Sequence, residues 1–242
     1  MNKILFAGHS HLKALEKAYE KFKSFSFKAD FLQCGFKEFK PNTYRKFFNK
    51  RKYLVNKNIL KSIKDKNYSH IFLCIYGNSH NIIGFNNSNI PFNFIYPRKE
   101  NNKISLDVCL IPFEVIRNRI INSLSNTRIF IELISKELDI PIFMLETPPV
   151  IDCNKYLSEN LNNRFNIDNF NSFDCRHKIW LLSCELVREI CNDNNIEYIS
   201  NPSTIYDDNL KFKKSMWCQT CTHGNDIYGH DILLNLEKNY FE

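Results

Sequence analysis

Residues 4–15 read Ile4-Leu5-Phe6-Ala7-Gly8-His9-Ser10-His11-Leu12-Lys13-Ala14-Leu15. The first four form a short apolar run, the pattern of a buried strand. Gly8 interrupts it. Ser10 then stands where a helix N-cap is expected, and Leu12, Ala14 and Leu15 open a helical pattern. Ser10 is thereby placed at the turn from the C-terminal end of a strand into a helix. In an open α/β sheet that edge is where ligands bind. A hydroxyl there also lies near the positive end of the helix dipole, which favours negative charge beside it. A plainer reading exists, in which Ser10 only caps the helix and His9 and His11 decorate the surface.

Outward from this stretch, strand patterns fall at about 3–7, 25–33, 70–76, 140–145 and 196–199. Helical patterns fall at about 11–23, 58–65, 111–138 with a break near Ser123 to Asn126, 176–193 and 226–240. Strands alternating with helices predict a parallel sheet covered on both faces, a three-layer α/β/α fold of flavodoxin-like layout. The run HIFLCIY at 70–76 marks a strand buried on both faces. Residues 81–103, rich in Asn, Pro and Phe, read as a long loop, a substrate lid or a partner surface. No repeat or linker divides the chain, so one domain over 1–242 is expected.

At 43% hydrophobic and 24% charged, the 242 residues are ordinary for a globular protein. The net charge of +7 peaks between Lys37 and Lys66, where Arg45, Lys46, Lys50, Arg51 and Lys52 interleave with Phe47, Phe48 and Tyr53. No nucleic-acid motif accompanies these, so they read as a solvated face and nucleic acid is not an expected partner. The N-terminal apolar run is too short for a signal peptide, and no stretch is long enough to span a membrane. A cytoplasmic location follows as an expectation. Nine dispersed cysteines suit reduced, buried thiols better than a disulfide framework.

Three motifs fall at strand ends or before the last helix: Gly8-His9-Ser10-His11, Gly77-Asn78-Ser79-His80-Asn81 and Thr222-His223-Gly224-Asn225 with Tyr228-Gly229. In a parallel sheet all strand C-termini share one edge, so these motifs can converge. Their chemistry points to acyl transfer or ester hydrolysis. Ser10 is the candidate nucleophile and His223 the base that takes its proton. The Asn78 amide with the backbone N–H groups of Ser10 and Gly35 would hold the oxyanion, each such donor lowering the barrier by roughly 3 kcal/mol. His9, His11, His80 and Asn225 are candidate substrate contacts. Arg176 and Lys178 read as solvated, and Trp180 as core.

Order and context resemble the SGNH (GDSL-like) hydrolase superfamily. The resemblance matches the family's serine to Ser10, its glycine to Gly35, its G-x-N asparagine to Asn78 in the contracted form Gly77-Asn78, and its histidine to His223. The pieces Glu146-Thr147-Pro148-Pro149, Arg176-His177-Lys178-Ile179-Trp180 and His223-Gly224-Asn225 look like a branch often encoded with bacterial surface-polysaccharide genes. The resemblance implies a serine esterase or O-acyltransferase acting on a small-molecule or glycan ester, most simply an acetylated sugar, without cofactor or metal. Two positions depart from the pattern. Gly8-His9-Ser10 replaces G-D-S, and Thr220 stands where the family's acid precedes the histidine by three. A backbone carbonyl, or Asp207, Asp208 or Asp226, could orient the imidazole instead, or the protein could be a degenerate binder. Cys218-Gln219-Thr220-Cys221 offers a rival C-x-x-C reading as a zinc or redox site. It lacks a fourth ligand, and ordinary packing accounts for both thiols.

Overall fold

A computed structural model describes residues 1–33, 57–75, 78–85, 90–99, 104–161 and 170–242. Gly35, Gly77 and the basic segment 37–56 lie outside them. Five strands, β1 (Lys3–Gly8), β2 (Lys28–Gln33), β3 (His70–Cys74), β6 (Ile142–Leu145) and β7 (Glu197–Ile199), form one sheet in the order β2-β1-β3-β6-β7. Every pairing is parallel. The predicted layout is therefore observed.

Alternation along each strand sends side chains to two separate cores. Leu5, Ala7, Ile71, Leu73, Ile142 and Met144 face one core. It is completed by α2 (Lys57–Asp65), α4 (Phe113–Glu137) and α6 (Phe173–Asn192). Ile4, Phe6, Phe72, Phe143 and Leu145 face the other, covered by α1 (Leu12–Phe22) and α7 (Asp226–Tyr240). On that second face Phe31, Phe6, Phe72 and Phe143 stand in register on four adjacent strands. Their rings stack at centroid spacings of 5.2, 5.3 and 5.0 Å.

The sheet order reverses beside β1. The chain leaves β1 through α1 to β2 on one side and returns through α2 to β3 on the other. Crevices at such switch points collect ligand-binding loops. Gly8 lets the strand ends close up there, because a Cβ on it would lie 2.5 Å from the Cys74 carbonyl oxygen. Gly229 does the same between helices, where an added Cβ would lie 2.1 Å from the Ala14 carbonyl oxygen. A glycine inside a helix is unfavourable on its own, so its place in α7 is explained by this contact with α1.

Several expectations need correction. Helix α4 does not break near Ser123. Ile120, Leu124, Thr127 and Ile131 recur on one buried stripe, and the Ser123 hydroxyl donates to the Ile120 carbonyl within the helix. Burial of that stripe overrides the weak helix preference of the intervening Ser and Asn residues. The stretch expected to loop over 81–103 begins inside α3 (Ser79–Gly84), and Phe92–Asn93 (β4) pairs with Cys109–Leu110 (β5). Phe94 and Tyr96 are buried in the first core, so this part is anchored. A short helix, α5 (Asn154–Asn160), interrupts the polar stretch that follows β6.

Arg176 and Lys178 are not solvated; they are 1% and 0% exposed. Lys178 Nζ donates to the Phe94 carbonyl at 2.6 Å and pairs with Asp174 at 3.0 Å. Arg176 donates to the carbonyls of Asn171 and Ile151 and to the Asn154 side chain. Burial draws its guanidinium down to about 10, still charged at neutral pH. Both cations are struts between α6 and the segments crossing it. Trp180 is core, as expected.

Two outcomes follow for stability. Gly229→Ala should push α1 and α7 apart and destabilise the protein by about 1–3 kcal/mol. A thermal melt should show a lowered Tm, and an unchanged Tm would show that the helices do not meet there. Lys178→Met should cost about 1–3 kcal/mol by leaving the buried Phe94 carbonyl without its donor. Urea unfolding should show a lower midpoint at unchanged slope.

Candidate active site

The site is assembled from three loops at the C-terminal edge of the sheet. Ser10 lies in the turn between β1 and α1. His9 N–H donates to the Cys74 carbonyl at 3.0 Å, tying this turn to the end of β3. The helix N-cap position falls on His11, which makes no side-chain capping bond. Ser10 does not cap the helix with its side chain; its Oγ lies 2.6 Å from His223 Nε2. The sequence separation of that pair is 213 residues.

His223 is held by a closed loop. Trp217 and Gly224 form an isolated antiparallel bridge, Cys221 N–H donates to the Cys218 carbonyl, and Asn225 N–H donates to the Met216 carbonyl. Cys221 takes a left-handed φ of 61° to close the turn. The Asn225 amide nitrogen donates to the carbonyls of Ser215 and Trp217, and its oxygen accepts from Ile227 and Tyr228 N–H as the cap of α7. Both ends of that side chain are therefore spent on backbone. This corrects the expectation that Asn225 touches substrate.

Asn78 arrives from the start of α3. Its Nδ2 lies 3.3 Å from His223 Nε2 and 3.2 Å from Thr222 Oγ1. Its Oδ1 is buried and has no hydrogen-bond partner among the described residues. The amide is thus at the Ser10–His223 pair. Gly35, the other expected donor, lies outside the described residues.

The acid expected near His223 is absent among the described residues. Asp226 instead pairs with Lys21 at 2.6 Å, and Asp207 accepts from the N–H groups of Asn209 and Lys211. His223 Nδ1 meets two hydroxyls, Thr220 Oγ1 at 2.7 Å and Thr222 Oγ1 at 2.9 Å. Thr220 in turn lies 3.4 Å from Cys218 Sγ. Sequence reasoning marked Thr220 as a gap and passed over Thr222. The signal available was two hydroxyls at three and one residues before the histidine.

Burial and the nearby Lys13 charge push His223 down to about 4, so the imidazole is neutral at physiological pH. His11 is buried, and its ring centroid lies 4.6 Å from that of His223, so the two rings pack together. His80 is 1% exposed, with Nε2 2.9 Å from Asn81 Nδ2 and its pKa depressed to about 3 by burial and by His223. Neither ring presents the open surface expected of a substrate contact; both are built into the wall. His9 remains partly exposed. Cys221 is buried, its thiol directed to backbone carbonyls of Tyr156 and Gln219. Among the described residues no group of three His, Cys, Asp or Glu side chains is placed to hold a metal ion.

No family model and no curated protein matches the chain. Solved structures do. A provisionally assigned platelet activating factor from Streptococcus pneumonia aligns over 98% of this chain and 83% of its own, at 16% identity and a TM-score of 0.51. The periplasmic domain of a lipopolysaccharide acetyltransferase from Salmonella ser. Paratyphi A aligns over 100% and 84%, at 12% identity and a TM-score of 0.49. A GDSL-like lipase from Bacteroides thetaiotaomicron aligns over 98% and 86%, at 11% identity and a TM-score of 0.47. At such identities the likeness concerns the fold alone, the parallel α/β architecture expected from the sequence.

The buried histidines set an acid limit on stability. His80, His177 and His223 are held at about 3, about 4 and about 4, below the ordinary 6.5. Between about pH 6.5 and 4 the unfolded chain therefore binds protons that the folded chain refuses, and stability falls as pH falls. His70, also lowered by burial, acts in the same direction, and Glu146, whose carboxyl is raised by burial, opposes them as one group against four. The urea midpoint should be lower at pH 4.5 than at pH 7; an equal midpoint would show that these rings are not shielded.

Proposed function

We infer that this chain, with its SGNH-type fold, is a serine esterase or O-acyltransferase acting on an acylated sugar or glycan precursor. The observation that carries the reading is the 2.6 Å contact between Ser10 Oγ and His223 Nε2. Ser10 Oγ attacks the acyl carbonyl while Nε2 takes its proton. The carbonyl oxygen becomes an oxyanion, for which the proposed donors are the backbone N–H groups of Ser10 and Gly35 and the Asn78 amide, whose hydrogen is released from Nε2 once that nitrogen takes the proton. Collapse expels the alcohol, which leaves with the proton from His223, and Ser10 carries the acyl group as an ester. Water or a sugar hydroxyl then attacks that ester, giving up its proton to His223, and Ser10 is released. Water as acceptor makes the protein an esterase; a sugar hydroxyl makes it a transferase.

The sugar substrate rests on the resemblance of the flanking motifs, and His9 is the remaining proposed substrate contact. The cytoplasmic placement rests on the thiols: all eight described cysteines are free, and Cys109 is exposed. Among the described residues no helix is long and apolar enough to cross a membrane. One observation favours a second reading. The hydroxyls on His223 Nδ1 supply no negative charge to stabilise an imidazolium, which suits a catalytically degenerate binder of glycan or of a partner in polysaccharide assembly.

Hydrolysis of p-nitrophenyl acetate, with intact mass after a fluorophosphonate, separates the two. The catalytic reading expects one adduct on the wild type, none on Ser10→Ala, and a rate loss of roughly 10³-fold or more in Ser10→Ala and His223→Ala. The acid limb of kcat/KM should fall near pH 4, where free His223 titrates. Neither adduct nor Ser10-dependent turnover, on this ester or on acetylated glycans, would sink it in favour of the binder.

A further inference from the structure

Serine chemistry of this kind needs one tautomer of the imidazole. Nε2 must be bare to take the Ser10 proton, so Nδ1 must carry the ring hydrogen. A carboxylate enforces this because it can only accept. A hydroxyl both donates and accepts, so a threonine on Nδ1 enforces nothing unless its own hydrogen is committed elsewhere.

We propose that Thr220 is the positioning residue of the His223 base, its hydroxyl aimed by the Cys218 sulfur so that its lone pair faces Nδ1. This rests on the reading of Ser10 and His223 as nucleophile and base. The Thr220 O–H donates to Cys218 Sγ at 3.4 Å, and the oxygen at 2.7 Å from Nδ1 is left to accept. Thr222 is the more distant hydroxyl, at 2.9 Å, and its oxygen also accepts from Asn78 Nδ2. Asn78 acts from the other side of the ring. Its Nδ2 at 3.3 Å from Nε2 is a donor, and a donor there is compatible only with a bare Nε2. Both ring nitrogens are thereby driven to the same tautomer by neutral groups. Such an arm fixes the orientation of the ring without lending it charge, so the base is well placed yet not made more basic.

The test follows the ring nitrogens directly. The full chain labelled with ¹⁵N is titrated from pH 3 to 9 by long-range ¹H–¹⁵N correlation, with His223→Ala identifying the His223 signals. Wild type should show the Nδ1–H tautomer. Thr220→Val replaces an exposed side chain by an isostere without the hydroxyl, so the fold should survive. Its ring should drift towards a tautomer mixture, with kcat down at least about tenfold and KM little changed. Thr220→Ser should restore both. Thr220→Asp should raise the His223 titration by roughly 2 units and move the acid limb of the rate profile with it. A Thr220→Val ring that keeps its tautomer, a Thr220→Ser that fails to restore it, or an effect confined to Thr222→Val would each overturn the proposal. An unchanged tautomer in Cys218→Ala would remove the sulfur from the arm. Because the tautomer is read without turnover, loss of the catalytic reading through Ser10→Ala leaves this outcome distinguishable.

Discussion

The row of phenylalanines at 31, 6, 72 and 143 fixes the rest of the structure. In a parallel sheet a slip of one residue turns every side chain to the opposite face. Here the slip would also break up a stack of four rings that lie in register on neighbouring strands. Aromatic pairs of this kind contribute about 0.5–1.5 kcal/mol each beyond the area they bury. Their consequence is positional. With Phe6 level with Phe72, Gly8 ends level with Cys74. The turn bearing Ser10 and the helix start bearing Asn78 then leave the sheet at the same height.

Around that edge the electrostatics are unusual in their neutrality. Three histidine rings, His11, His80 and His223, crowd the site, yet burial keeps His80 and His223 uncharged. The carboxylates of Asp226 and Asp207 are engaged elsewhere, the first by Lys21 and the second by its own turn. The hydrogen bonds that set the geometry run between neutral donors and acceptors, which are weaker individually than charge-assisted ones. Their value lies in convergence: Asn78, Thr220, Thr222 and Ser10 all act on one imidazole.

The alternating strands and helices were legible in the sequence because both faces of the sheet are apolar and the helices carry one buried stripe each. Helix α7 and the strand at β6 stand close to where their patterns placed them. Ser10, His223 and Asn78 could be singled out because strand-end motifs are local in sequence, and their side chains meet in the fold. What was not legible depends on partners far along the chain. The unbroken α4 is decided by the core it packs on, which its Ser and Asn residues do not announce. Arg176 and Lys178 read as solvated because charge suggests water; the carbonyls of Ile151 and Phe94 that bury them lie more than twenty residues away. Thr220 looked like a missing acid, since a hydroxyl can either donate or accept and its residue type does not say which.

The Ser10–His223 contact joins the tenth residue to one near the end of the chain. Its two halves ride on α1 and α7, which touch backbone to backbone at Gly229 and Ala14. During synthesis the N-terminal strands and α1 emerge long before α7 exists. Until α7 docks on α1, Ser10 and His223 have nothing to bring them together. The two residues are thus neighbours only in a chain whose α1 and α7 have already met, and their contact reports that docking.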